Sequence, residues 1–409
     1  MNDKKPHLFR DEADIEVTHI ELFFDLVFVF AITQLSHHLL VHLSLFGALE
    51  GVVMLLAVWW VWIYTSWSTN WLDCNRAAVR LMLLAMMLGG LALASAIPKA
   101  FGSSGPLFAG AYLAMQIGRS VFMIVASRKE SVARTRNSMR IGFWFLLSAP
   151  FWIWGALEPD PAWRLGLWAA AIAIEYYGPF RGFRTPGLGP SQPSDWRISG
   201  HHMAERCALF IIISLGEAIL VTGATYGGLV QDRESTLALL ASFVGSAAMW
   251  WIYFDIGAKR GAKMIAESEQ VGLVARDAYT YLHIVIVGGI VVTAVGDAIM
   301  LQSPVNRVTL PFLAVAFGGP SLFLWGCSFF KRASSGLRLP PLSHGVGLIL
   351  LLIFGILAWG MHLTILQAGA LATSALIVTA IWEWLSLHGG WQRWAPWMEP
   401  VLGRFTPPS

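Results

Sequence analysis

Charge is scarce in this 409-residue sequence. Only 13% of its residues are Asp, Glu, Lys or Arg, about half the share usual in soluble domains. With 56% hydrophobic residues, a soluble chain of this length would have too little polar surface to cover its core. Cysteine is scarce too. Cys74, Cys207 and Cys327 stand far apart, which excludes a disulfide framework and a Cys-x-x-Cys metal site and reads each as a small buried hydrophobe. The net charge of +3, with no basic run interleaved with aromatics, excludes a nucleic-acid partner. There is no HExxH, no GxSxG elbow and no Asp-rich diphosphate motif. The N-terminal stretch MNDKKPHLFRDEADIEVTH has no short apolar core with a cleavage site. The first helix is therefore expected to act as its own insertion signal.

What is present is a series of apolar runs, each close to the ~20 residues that cross a bilayer as a helix. They fall at 18–42, 48–69, 78–97, 106–126, 140–157, 163–179, 203–225, 236–255, 279–301, 308–330, 344–363 and 366–387. The predicted fold is an all-α, polytopic transmembrane bundle of about 12 spans. Basic residues alternate across these runs. One side carries Lys4, Lys5 and Arg10, then Arg76 and Arg80, then a cluster from Arg128 to Arg140, and so on to Arg393 and Arg404, 22 in all. The other side carries Lys99, Arg164, Arg233 and Arg307. This bias predicts a multi-pass protein of the bacterial cytoplasmic (inner) membrane with both termini inside.

The Pro- and Gly-rich stretch GPFRGFRTPGLGPSQPSDWRISG, 178–200, cannot be one continuous helix. The expected organisation is a cytoplasmic segment 1–17, a first six-helix repeat 18–179, a cytoplasmic linker 180–202, a second repeat 203–387 and a cytoplasmic tail 388–409. Ordered matches support a duplication: WWVWIY (59–64) with WWIYFD (250–255), LGGLALASAI (88–97) with VGGIVVTAVG (287–296), LAMQIG (113–118) with LAVAFG (313–318), and AIEY (173–176) with IWEW (381–384). With six spans per half the repeats are parallel, an arrangement found in transporters. The Trp clusters at 59–71 and 391–397 read as interfacial belts.

Ionisable groups at membrane depth are costly, so they face the bundle interior and pair. Glu21 and Asp25, four apart on the first span, share a face at roughly 6 Å and need a cation, a shared proton or an arginine. Gln34 lies further along, on the opposite side. On the seventh span, Glu205 and Arg206 occupy the inner depth that repeat logic gives to Glu21 and Asp25, so an Asp25–Arg206 pair is expected. Glu217 falls ~15 Å into the apolar stretch that begins at Cys207, next to Gly216, whose missing side chain admits a close neighbour. These five residues are the pathway candidates; a salt bridge that only fixes packing is the competing reading. Secondary candidates are Gln34, His202, Glu175, His283 and Glu383, with Glu175 and Glu383 also able to snorkel to the interface. His201, His202 and Glu205 have helical spacing for a metal, but no fourth ligand is evident, and neither metal nor cofactor is expected.

The segments ELFFDLVFVFAITQLS (21–36), WWVWIYTSW (59–67), ERCALFIIISLGE (205–217) and YTYLHIVIVGG (279–289) resemble, in order, the bacterial low temperature requirement protein A family. The resemblance implies an integral membrane protein and says little about chemistry. The residues carrying it here are Glu21, Asp25, Glu205, Arg206 and Glu217. The function expected is a transporter or channel for a small solute, ion or proton. The alternatives are a membrane-embedded enzyme acting on a lipid-like substrate and a membrane scaffold or sensor. The expected partners are the bilayer and that small solute or ion; the sequence fixes no oligomeric state.

Overall fold

The computed structural model describes residues 8–10, 16–255, 257–268, 270–335 and 339–387. The expectations for Lys4, Lys5, Arg338, Arg393 and Arg404, for the tryptophans of 391–397 and for the tail 388–409 lie outside the described residues. Among the described residues the chain is all-helical, 83% helix with no strand. The helices are α1 (His19–Val41), α2 (Leu45–Trp71), α3 (Ala77–Ala96), α4 (Gly105–Ser127), α5 (Val132–Leu157), α6 (Pro161–Phe180) and α7 (Gly200–Gly227). There follow α8 (Arg233–Phe254), α9 (Gly257–Glu267), α10 (Val271–Gln302), α11 (Leu310–Ser335), α12 (Leu342–Gly360) and α13 (Ile365–Leu387).

Eleven of these helices are long and apolar enough to cross a membrane. The two others are α6 and α9. Helix α6 coincides with the expected span 163–179 and has 20 residues, but Arg164 and Glu175 lower its hydropathy. Helix α9, an 11-residue helix, was not expected from the apolar runs; its Gly261 and Ile265, one turn apart, are buried. Large aliphatic side chains stay exposed along the spans, among them Leu88 at 70% and Leu352 at 65%. Water would penalise such a surface and lipid does not. The protein is a multi-pass α-helical membrane protein.

Local chemistry sets the helix starts. Ser44, Ser131 and Asp160 each accept a backbone N–H of the first turn of α2, α5 and α6, with Pro161 opening α6. Asp232 caps α8 reciprocally with Ser235, and the hydrogen bonds from Ser235 hold its carboxyl below the usual range.

The chain forms two compact units. The first comprises Met1–His38, Ser44–Arg206 and Gln270–Leu273. Its core is aromatic: Trp59, Trp60 and Trp62 of α2 are all but fully buried, and Trp60 stacks on Tyr176 at 3.7 Å. The expectation that tryptophans 59–71 form an interfacial belt is corrected for these three, which pack in the core. Arg164, counted in the sequence as an outer-loop charge, is buried; it donates to the carbonyls of Ala100, Gly102, Gly155 and Glu158.

The second unit comprises Leu39–Leu43, Cys207–Glu269 and Val274–Ser409. Its axis is a glycine seam. Gly289 and Gly296 of α10 and Gly319 and Gly326 of α11 recur seven residues apart, so each pair lies on one helix face. A Cβ at Gly296 would sit 3.2 Å from Ala316 Cα, and one at Gly319 would sit 2.5 Å from Thr293 N. The two backbones touch, as small residues permit in a bilayer. Near its start α10 passes through π turns over Ala275–Leu282; there Thr280 Oγ and His283 Nδ1 bond carbonyls five residues back. The aligned motifs differ in burial: Trp59 is 1% exposed and its match Trp250 47%.

Candidate functional site

The strongest concentration of buried charge lies in the first unit, at the start of α1. Thr18 and Glu21 form a Thr-x-x-Glu cap: Glu21 Oε2 accepts from Thr18 N at 2.9 Å and Thr18 Oγ at 2.8 Å. The same oxygen meets Arg10 Nη2 at 3.2 Å. Arg10 is delivered by residues 8–10, which pair with the end of α2 through Arg10 N to Trp71 O (2.9 Å) and Asp73 N to Leu8 O (2.8 Å). The other oxygen, Oε1, lies 2.9 Å from His202 Nε2.

One turn on, Asp25 is held bidentately. Arg206 Nη1 donates to Oδ2 at 2.6 Å and Nη2 to Oδ1 at 2.7 Å, while Trp62 Nε1 donates to Oδ1 at 2.8 Å. Arg206 also reaches Glu21 O and Ser66 Oγ. Glu21, Asp25, His202 and Arg206 are all fully buried. The fork of a guanidinium matches both carboxylate oxygens at once, which a lysine could not do.

The hydrogen-bond directions fix the state of His202. Asn70 Oδ1 accepts from Ser199 N at 2.8 Å and Asn70 Nδ2 donates to Ser199 O at 2.9 Å, so the amide orientation is determined. The second Nδ2 proton then points at His202 Nδ1, 3.2 Å away, which must accept. His202 is therefore the neutral Nε2–H tautomer, donating to Glu21. Two carboxylates face two guanidiniums and the cluster is charge-balanced.

The pair Asp25–Arg206 expected from the matching depths of the first and seventh spans is present, with Glu21 and His202 beside it. Glu205 is half-buried and makes none of these bonds; of the four residues expected at this inner depth, Glu21, Asp25 and Arg206 join the cluster and Glu205 does not, its place being taken by Arg10. The reason is rotational: Glu205 lies 100° from Arg206 around α7. Gln34 is half-buried. His201 is exposed, and both ring nitrogens of His202 are occupied, so these two and Glu205 do not converge on a metal.

A second buried network in the same unit was not read from the sequence. Glu175 does not snorkel: it is 1% exposed and accepts from Ser148 Oγ at 2.6 Å, from Trp152 Nε1 at 2.9 Å and from Tyr112 Oη. Gln116 Nε2 donates to Tyr112 Oη at 3.1 Å, and Arg119 Nη2 donates to Gln116 Oε1 at 2.5 Å. Every proton in this chain points from Arg119 toward Glu175, so the guanidinium is linked to the carboxyl through two neutral side chains. Arg119 also lies against Tyr64 and Phe145 and near Thr65 Oγ1 at 3.5 Å. Thr65 belongs to this network and its neighbour Ser66 to the Arg206 network, so the two meet on adjacent residues of α2.

In the second unit Glu217 is buried. Nothing approaches within 4 Å of a Cβ built at Gly216, which corrects the expected close contact there. His283 donates from Nδ1 to Ala278 O at 2.9 Å and accepts from Tyr253 Oη at 2.8 Å. Glu383, like Glu175, has a partner rather than a snorkelling path: Lys331 Nζ lies 2.5 Å from its Oε1 and donates to Ile252 O at 2.6 Å.

Arg10 Nη2 also contacts Cys74 Sγ at 3.3 Å in the α2–α3 connection. Burial, followed by the nearby Glu21 carboxylate, pushes the Cys74 thiol up to about 11. At pH 7.5 the thiolate fraction is then roughly one part in 3,000, and all three thiols are buried. The folded protein should take up no maleimide at pH 7.5 until SDS is added. Rapid labelling of Cys74 would show that residues 8–10 do not cover it.

Comparison with known proteins agrees with this architecture. The family model for the bacterial low temperature requirement A protein (LtrA) matches residues 16–381. A protein of Rhizobium meliloti (strain 1021), named only as uncharacterized protein RA0937, is 41% identical over 390 residues, covering 95% of this chain and 94% of its own. No solved structure matches. On the extent of the family match, which spans every helix from α1 to α12 and most of α13, this chain belongs to the bacterial low temperature requirement A family.

Proposed function

We propose that the protein moves a small solute, ion or proton across the bacterial cytoplasmic membrane, with buried ionisable side chains as its working groups. One observation carries the reading. In the first unit two hydrogen-bonded networks, one of Arg10, Glu21, His202, Asp25 and Arg206 and one of Arg119, Gln116, Tyr112 and Glu175, reach the neighbouring residues Ser66 and Thr65 of α2 inside apolar spans. Holding helices together needs far less buried polarity than this, and each such group is costly in hydrocarbon. In this proposal the bidentate Asp25–Arg206 pair anchors α1 and α7, while Glu217, central in its span, carries the proton or cation. A lipid-acting enzyme would present its carboxylates sideways to the bilayer, whereas Glu21 and Asp25 are 0% exposed.

The test is reconstitution into liposomes and a flux screen of protons, monovalent cations and small metabolites. Flux above protein-free vesicles for one of them supports the reading; background flux for all would end it. The proposed orientation, both termini cytoplasmic, is checked separately. Reporter fusions at Ser103 and Ser335 should report outside and inside respectively, and the same side for both would break the topology.

A further inference from the structure

The second unit contains a cavity of about 20 Å³, room for roughly one water-sized species. Three of its polar lining residues are Asp297 and Thr293 on α10 and Thr373 on α13. The hydroxyl protons of both threonines are already committed: Thr293 Oγ1 donates to Gly289 O at 2.7 Å and Thr373 Oγ1 to Ala241 O at 3.2 Å. What these hydroxyls have left to offer is lone pairs, and the carboxylate of Asp297 adds more. No lysine, arginine or histidine is among the described lining residues, so nothing in the wall neutralises an ionised Asp297. The remaining wall is mainly Met300, Phe312, Pro320 and Leu376 with small residues, a poor medium for an uncompensated charge.

From this arrangement we infer that the cavity binds one monovalent alkali cation, Na⁺ or K⁺, on Asp297, Thr293 and Thr373. Oxygen-only ligands suit a hard cation. One positive charge balances one carboxylate, whereas a divalent ion would leave a net charge buried. Water would fill the space and make hydrogen bonds, and Asp297, with Ser242 beside it, would then stay neutral by keeping its proton; a midpoint that ignores the salt is the outcome of that alternative. The inference concerns binding at equilibrium and stands or falls independently of what the protein transports.

The experiment is thermal unfolding of the full-length protein in detergent, followed by the fluorescence of its 20 tryptophans. Titrations use NaCl, KCl and choline chloride at matched ionic strength. The midpoint should rise by about 2 °C or more, saturably, in at least one alkali salt relative to choline. Asp297→Asn should abolish the difference, and Thr373→Val, which keeps the shape but removes a ligand, should move half-saturation about tenfold higher. Equal midpoints in all three salts overturn the inference, as does a difference that Asp297→Asn retains. If the Asn variant does not fold, Thr373→Val decides: an unchanged half-saturation overturns the site.

Discussion

Replacing Arg206 by alanine should cost about 3–5 kcal/mol, measured by SDS titration in mixed micelles, because it strands a buried carboxylate. Asp25 would keep one donor, Trp62 Nε1, against the three it has now. The double variant Asp25→Asn/Arg206→Gln removes both charges and should lose less than Arg206→Ala alone. Arg206→Lys should fall in between, since a point charge cannot match the 2.6 and 2.7 Å fork. Losses that simply add in the Asp25/Arg206 cycle would show that the two residues do not interact.

A comparably large loss is expected along the glycine seam. A Cβ at Gly319 would lie 2.5 Å from the backbone N and 2.6 Å from the hydroxyl of Thr293, and one at Gly289 would overlap the backbone N of Phe323. Backbone cannot swing aside as a flexible side chain can, so α10 and α11 must separate. Gly319→Leu should therefore cost about 3 kcal/mol or more, at or above the upper end of overpacking effects. The neighbouring Gly318 is the control, since a Cβ there meets nothing within 4 Å. Gly318→Ala should be neutral or slightly stabilising through helix propensity. The same SDS titration reads both, and equal behaviour of the two variants would deny the seam.

Hydropathy made the spans legible because lipid imposes a requirement on every residue of a helix surface. It did not show where helices run past the membrane. Helix α5 starts at Val132 rather than 140, since ARTRNSM is polar yet helical. Helix α10 starts at Val271 rather than 279, through π turns that no apolar pattern marks. In the site, Asp25 and Arg206 were legible because a charge inside an apolar run demands a partner at its own depth. Arg10 was not, since a segment outside the spans brings it in. The Thr18-x-x-Glu21 cap was readable in principle. So was Arg119, a cation inside LAMQIGRSVF, but its link to Glu175 runs through Gln116 and Tyr112, which spacing alone does not single out.

The most direct test of a working role for buried ionisation is Glu217→Gln, which keeps size and hydrogen bonding and removes the charge. Wild-type and variant protein are reconstituted at equal density, and flux of the solute found in the liposome screen is followed with pH. The variant should insert and unfold like the wild type, while its flux falls to the protein-free background or loses its pH dependence. Full flux with an unchanged pH profile in Glu217→Gln would contradict the account and leave Glu217 a neutral packing group.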